Sequence, residues 1–272
     1  TLETPILLTN TLNVGLVANA LIEHMLEANP DIGVTTGTIN PVVGECNDSF
    51  LNDIRGRHVK PEHVRQALRT ATEGQFEEGA VGAGTGMSAF ELKGGIGSSS
   101  RVIPSQYGGY VVGSLVLSNF GRLTDLIIDG TPVGRELSEH MAPKSSANGS
   151  IIILIATNAP VSSRQLKRMA KRATHGLART GSVSTHGSGD IVIAFSTTSR
   201  VPHYREDIRT PVRSVFEEDL TWLFRATAEA TEEAILNSLF RAETMVGRDG
   251  NTRTALPLDQ TRTILQKYRK IQ

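Results

Sequence analysis

Apolar residues recur along this chain with two different periods. From Asn10 to Asn29, Val14, Val17, Leu21, Met25 and Leu26 return every three or four residues. That spacing predicts an amphipathic helix capped by Asn10 and stopped by Pro30. Ile6-Leu7-Leu8 before it is a strand-like run. Residues 33–40 read as extended, and residues 41–53 as polar and irregular. A second helix is expected from about Pro61, with Val64, Leu68 and Ala71 on one face, giving out into the glycine-rich segment Gly79 to Gly97.

The second half is richer in β patterns. Tyr110 to Ser118 and Leu123 to Asp129 flank Asn119-Phe120-Gly121-Arg122, which reads as a hairpin. A polar segment, His140 to Gly149, ends in Ser145-Ser146-Ala147-Asn148-Gly149 and reads as an exposed linker. Directly after it, Ser150 opens Ile151-Ile152-Ile153-Leu154-Ile155-Ala156-Thr157, a continuous apolar run typical of a strand buried on both faces. Ser162 and Ser163 can cap a helix that buries Leu166, Met169, Ala173 and Leu177 and ends at Gly181. Asp190 to Thr197 reads as another buried strand, and Glu217 to Thr244 as a long helix carrying Leu220, Leu223, Phe224, Ile235 and Leu239. Helices packed outside β-sheets is the class this order predicts. No internal repeat is visible.

Composition narrows the function classes. The 272 residues are 39% hydrophobic, and 28 basic residues balance 28 acidic ones. A formal charge of zero gives no reason to expect nucleic acid or an anionic membrane as partner. No apolar run approaches the roughly 20 residues that span a bilayer. Cys46 is the one cysteine, so no intrachain disulfide can form and the compartment stays open between cytoplasm and periplasm. The chain opens Thr1-Leu2-Glu3-Thr4-Pro5 without methionine, which reads as a polypeptide whose beginning lies upstream. His58, His140, His175, His186 and His203 show no metal-ligand spacing, so neither metal nor cofactor is expected. The glycine run lacks a Gly-Lys-Ser/Thr sequence, since Lys93 precedes two glycines, and its glycines read as places of close backbone approach.

The junction Gly149-Ser150 carries the candidate chemistry. Gly149 leaves its carbonyl open to the hydroxyl of the following serine, which permits an N→O acyl shift. Hydrolysis of the resulting ester frees the α-amine of Ser150. Such an amine titrates near 7.7–8.0 and can act as the base a serine hydroxyl needs. A Gly-Ser pair before a strand is also ordinary turn chemistry, so the junction alone does not decide.

Several segments occurring in one order do more. They are Phe50-Leu51-Asn52-Asp53-Ile54, Gly82-Ala83-Gly84-Thr85-Gly86, Lys93-Gly94-Gly95-Ile96-Gly97-Ser98-Ser99-Ser100-Arg101, Asn148-Gly149-Ser150-Ile151-Ile152, Ala156-Thr157-Asn158-Ala159-Pro160 and Gly187-Ser188-Gly189-Asp190. Over essentially its whole length the chain resembles the L-aminopeptidase/D-Ala-esterase/amidases and β-aminopeptidases. The resemblance implies an α+β fold, an αββα four-layer sandwich with two central β-sheets flanked by helices. It implies cleavage before the serine into residues 1–149, an N-terminally truncated α-subunit portion, and residues 150–272, the β subunit, which remain together as one domain. Homo-oligomers of that unit are expected, acting on small peptide, amide or ester substrates.

Residue by residue, the resemblance puts Ser150 at the nucleophile and Ser188 in its hydrogen-bond network. Asp190 stands where β-aminopeptidases carry a glutamate; alone it reads as a turn residue at a strand entry. Asn119 matches the asparagine that stabilises the oxyanion, although a hairpin asparagine is the plainer reading of that position. Glu45 and Asp48 lie where the family builds its substrate pocket and are candidates for holding a substrate ammonium, against the simpler reading of a solvated loop. Asn47 stands where many members have an aromatic residue. Two alternatives remain: an acyl transferase resembling ornithine acetyltransferase, which normally has threonine at the junction, and a non-catalytic remnant of the fold.

Overall fold

A computed structural model describes residues 1–141, 149–198, 200–204, 207–208 and 213–268. The first half forms β1 (Ile6–Asn10), α1 (Val14–Ala28), β2 (Val42–Cys46) and α2 (Pro61–Thr70), then the two-residue strands β3 (Ser88–Ala89) and β4 (Leu92–Lys93). Next come β5 (Ile96–Val102), β6 (Val111–Asn119) and α3 (Val133–Ser138). Beyond the junction lie β7 (Ser150–Thr157), α4 (Ser163–Arg179), β8 (Gly189–Ser196) and α5 (Leu220–Phe240). The short strands β9 (Met245–Val246) and β10 (Thr252–Arg253) precede α6 (Leu258–Lys267).

The main sheet runs in the order β5-β6-β7-β8, antiparallel except for the parallel pair β7 and β8. Parallel neighbours need a long crossover, and α4 supplies it. β1 and β2 are also parallel, with α1 as their crossover. The contacts stack four layers: α4 and α5, the four-stranded sheet, β1 and β2, and then α1 with α2. This is an α+β protein.

β7 explains itself in this setting. Ile151, Ile153 and Ile155 point into the main core with Met169, Ala173, Leu177, Leu223 and Ile235. Ile152 points the other way, into a cluster with Cys46, Met87 and Leu117. A strand with an apolar neighbour on each face has no use for alternation. α4 starts on Ser162, whose hydroxyl accepts from Gln165 N while the Gln165 side chain returns to Ser162 N. Gly176 lets α4 approach α5: a Cβ there would lie 2.4 Å from the Ala228 carbonyl oxygen.

Five expectations from pattern are corrected. Asn10 ends β1 instead of capping α1, because its amide is bonded to Asp48 at 3.1 Å and Asn13 at 2.6 Å. Residues 31–36 form a turn in which the Asp31 carbonyl accepts three backbone N–H groups, not an extended segment. The supposedly irregular stretch 41–53 contains β2. The hairpin at residues 119–122 does not form, because both edges of β6 are taken by β5 and β7, and Leu123–Asp125 is a single 3-10 turn. β8 is half-buried, with Ile191 54% exposed, because it is the last strand of the sheet among the described residues. Of the linker expected from His140 to Gly149, residues 142–148 lie outside the described residues.

Candidate active site

Ser150 is the first residue of β7 and sits between two strand ends. In the register it faces Asn119, the last residue of β6, and Gly189, the first of β8. Its Oγ accepts from Gly189 N–H at 3.2 Å. Asn119 and Ser150 share the sheet face turned toward β1 and β2, since Leu117 and Ile152, two residues along each strand, pack there with Cys46. Gly149 is pressed against the end of β6: a Cβ there would stand 2.0 Å from the Asn119 carbonyl oxygen and 2.7 Å from Phe120 Cα. The close approach of two backbones therefore requires glycine at this position.

One residue further along β8, Asp190 Oδ1 accepts from Ser188 Oγ at 2.7 Å. Asp190 Oδ2 is buried without a partner among the described residues. A buried carboxylate oxygen left bare usually marks a missing hydrogen-bond donor.

Asn119 is buried and its amide orientation is dictated by its partners. Ser88 N–H donates to Oδ1 at 2.9 Å, and Nδ2 donates to the Asn47 carbonyl at 2.9 Å. Among the described residues, one Nδ2 hydrogen remains to be given. Through Asn47 this amide ties the end of β6 to the loop that holds Asp48.

Asp48 is buried, and burial pushes its carboxyl above the usual range while Asn10 and Asn52 pull it back. Both amides donate to Oδ2, at 3.1 and 3.0 Å, and Oδ1 has no partner among the described residues. It lines a cavity of about 540 Å3 whose walls include Leu8, Val17, Leu51 and Val64. Ser150, Asn119, Ser188 and Asp190 do not line that cavity. Glu45 does not line it either; its carboxylate accepts from the Thr11 hydroxyl across the top of β1 and β2. Cys46, between these acids, is pushed up to about 12 by burial first and then by Glu45, with Asp190 and Asp48 adding to it.

Three residues around Asn119 were not read from sequence as part of the site: Ser88, Lys93 and Arg253. Arg253 Nε donates to Ser88 Oγ at 3.0 Å, with its guanidinium 3.7 Å over the Phe50 ring. Ser88 and Arg253 lie in two-residue strands, too short to leave a periodic signal, and the glycines beside Lys93 drew attention to the backbone instead. Among the described residues, no group of three or more His, Cys, Asp or Glu is placed to hold a metal, and no helix is long and apolar enough to cross a membrane.

This geometry can be set beside known proteins. The β-peptidyl aminopeptidase BapA of Sphingosinicella microcystinivorans is 41% identical over 281 residues, covering 98% of this chain and 70% of the relative. The PH0078 protein of Pyrococcus horikoshii OT3 has a crystal structure that superposes with a TM-score of 0.94 at 55% identity, over 100% of this chain and 74% of that one. The L-aminopeptidase D-Ala-esterase/amidase of Ochrobactrum anthropi, described as a prototype for the serine aminopeptidases and a variant of the Ntn hydrolase fold, superposes with a TM-score of 0.86 at 34% identity, over 97% and 74%. The profile of peptidase family S58 matches residues 1–253. With its α+β layers and its Ntn-hydrolase-like fold, this chain belongs to peptidase family S58, a family of aminopeptidases.

Proposed function

We propose that this protein is a self-cleaving aminopeptidase and amidase whose nucleophile is Ser150. The observation that carries the reading is the Ser188–Asp190 pair beside the junction, with Asp190 Oδ2 bare and buried. In the continuous chain Ser150 contributes a peptide nitrogen. Attack of its Oγ on the Gly149 carbonyl carbon forms a C–O bond and breaks the C–N bond, and the hydroxyl proton ends on the released amine. Water then hydrolyses the ester. The new ammonium is the donor that Asp190 Oδ2 lacks, and its neutral form is the base for Ser150 Oγ in the next reaction.

Residues 1–149 and 150–272 then act as α and β parts of one domain. A substrate carbonyl is attacked by Ser150 Oγ, and the oxyanion accepts a hydrogen bond from the remaining Nδ2 hydrogen of Asn119. Collapse of that intermediate breaks the scissile C–N or C–O bond and expels the amine or alcohol, which takes a proton from the Ser150 ammonium. Water then hydrolyses the acyl-enzyme to release the N-terminal residue of a short peptide, an amino-acid amide or an ester. Asp48 is the better placed of the two acids for the substrate's free ammonium, because it lines a cavity and its Oδ1 has no partner among the described residues, whereas Glu45 is engaged with Thr11. The relatives' names cover β-peptides, L-amino acids and D-alanine derivatives, and all three are substrate classes to test here.

The test is hydrolysis of amino-acid p-nitroanilides, in both α- and β-amino forms, by the wild type and Ser150→Ala. The variant is expected to lose all measurable turnover while keeping its fold. Turnover within about tenfold of wild type, a loss of only ~1.4 kcal/mol, would remove Ser150 from the chemistry.

A further inference from the structure

The glycine-rich segment buries a cation that the proposed chemistry does not use. Lys93 is 0% exposed, and its ammonium donates to the carbonyls of Gly84 and Met87 at 2.9 Å and of Gly94 at 2.6 Å. All three of its hydrogens are placed, yet every acceptor is a neutral dipole. Burial accordingly pushes Lys93 down to about 7. A charge kept at that cost in a place an aliphatic chain could fill calls for a role beyond packing.

The connection is a single peptide group. The Met87 carbonyl that Lys93 holds belongs to the same peptide unit as the Ser88 N–H, and that N–H donates to Asn119 Oδ1. The ammonium, the peptide and the Asn119 carboxamide thus stand in series, and hydrogen bonds in series polarise one another. The far side of Ser88 is fixed as well, through its Oγ and Arg253. The Lys93 backbone N–H is anchored on the Thr254 carbonyl at 2.8 Å, which ties β4 to the residue after β10.

We propose that Lys93 is a positioning residue for Asn119. Through the Met87–Ser88 peptide, its ammonium fixes which end of the carboxamide carries the N–H groups and strengthens them as donors to the oxyanion. This rests on the reading of Asn119 given above. Lys93 touches neither substrate nor Ser150; it acts on the rate through an amide that does.

Steady-state kinetics on an amino-acid p-nitroanilide test this with wild type, Lys93→Met, Asn119→Ala and the double variant, and with Lys93→Gln as a second replacement. Lys93→Met and Lys93→Gln are expected to lower kcat about tenfold with KM changed less than about twofold. In the Asn119→Ala background the further loss should be below about twofold, because the amide through which Lys93 acts is gone. An equal loss in both backgrounds, a loss confined to KM, no loss, or failure of both single variants to fold would each assign Lys93 to the fold and overturn the proposal. The reading of Asn119 fails separately, if Asn119→Ala alone leaves kcat unchanged.

Discussion

Asp48 and Asp190 share one feature: in each, side-chain donors hold one carboxylate oxygen and the other is buried without a partner among the described residues. They differ in where they stand in the fold. Asp190 stands one residue from the strand end beside Ser150, whereas Asp48 lines an aliphatic cavity. For Asp48 the consequences separate cleanly. Burial raises its folded pKa above the unfolded value near 3.9, so the native state holds the extra proton in the interval between the two. Its contribution to stability is present below the unfolded value and is lost as pH rises through the raised one. Asp48→Asn is therefore expected to melt at or above the wild-type temperature at neutral pH, with the advantage shrinking to nothing in acid. Its KM for free-amine substrates should rise at the same time. Thermal melts from about pH 4 to 7 beside KM measurements check both halves. At this scale the proximity of Gly149, Ser150, Asn119 and Ser188 could be anticipated because they lie in short motifs that the resemblance groups together. Lys93, Ser88 and Arg253 could not be, because their meaning depends on partners 6 to 165 positions away.

Elements were legible where the apolar period was long and unbroken. α4 matched its capping signal at Ser162 and its stripe through Met169, Ala173 and Leu177. β7 announced itself by having no period at all. Short pieces were lost: β2 is five residues between polar flanks, and residues 123–129 carry β-like composition but serve the core as a turn. Leu123, Leu126 and Ile128 are buried there without any strand partner from β6. The close crossing of α4 and α5 yields a prediction at this scale. Gly176→Val would force side-chain atoms toward the Ala228 carbonyl, and overpacking of this kind costs roughly 1–3 kcal/mol. Denaturant unfolding should record that loss, with kcat per folded molecule unchanged because Gly176 packs on α5 at Ala228, Thr231 and Glu232.

At the scale of the whole molecule, the Gly149–Ser150 bond lies where the chain enters one continuous sheet. β6 belongs to residues 1–149 and β7 to residues 150–272, and their ladder runs from Val112 opposite Thr157 to Asn119 opposite Ser150. α5 crosses the same boundary by packing on β5 and β6. Cutting the chain there removes no rung of the ladder, so the two fragments should elute together without denaturant and separate in guanidinium chloride. The layer order could be anticipated from resemblance but not from pattern, because α-helical and β periods say nothing of which face meets which.

N-terminal sequencing with intact mass of the purified, active protein tests the account most directly. It predicts two chains, one beginning Ser-Ile-Ile at Ser150, and a single uncut chain for Ser150→Ala. Full activity in a wild type that is never broken between Gly149 and Ser150 would contradict it.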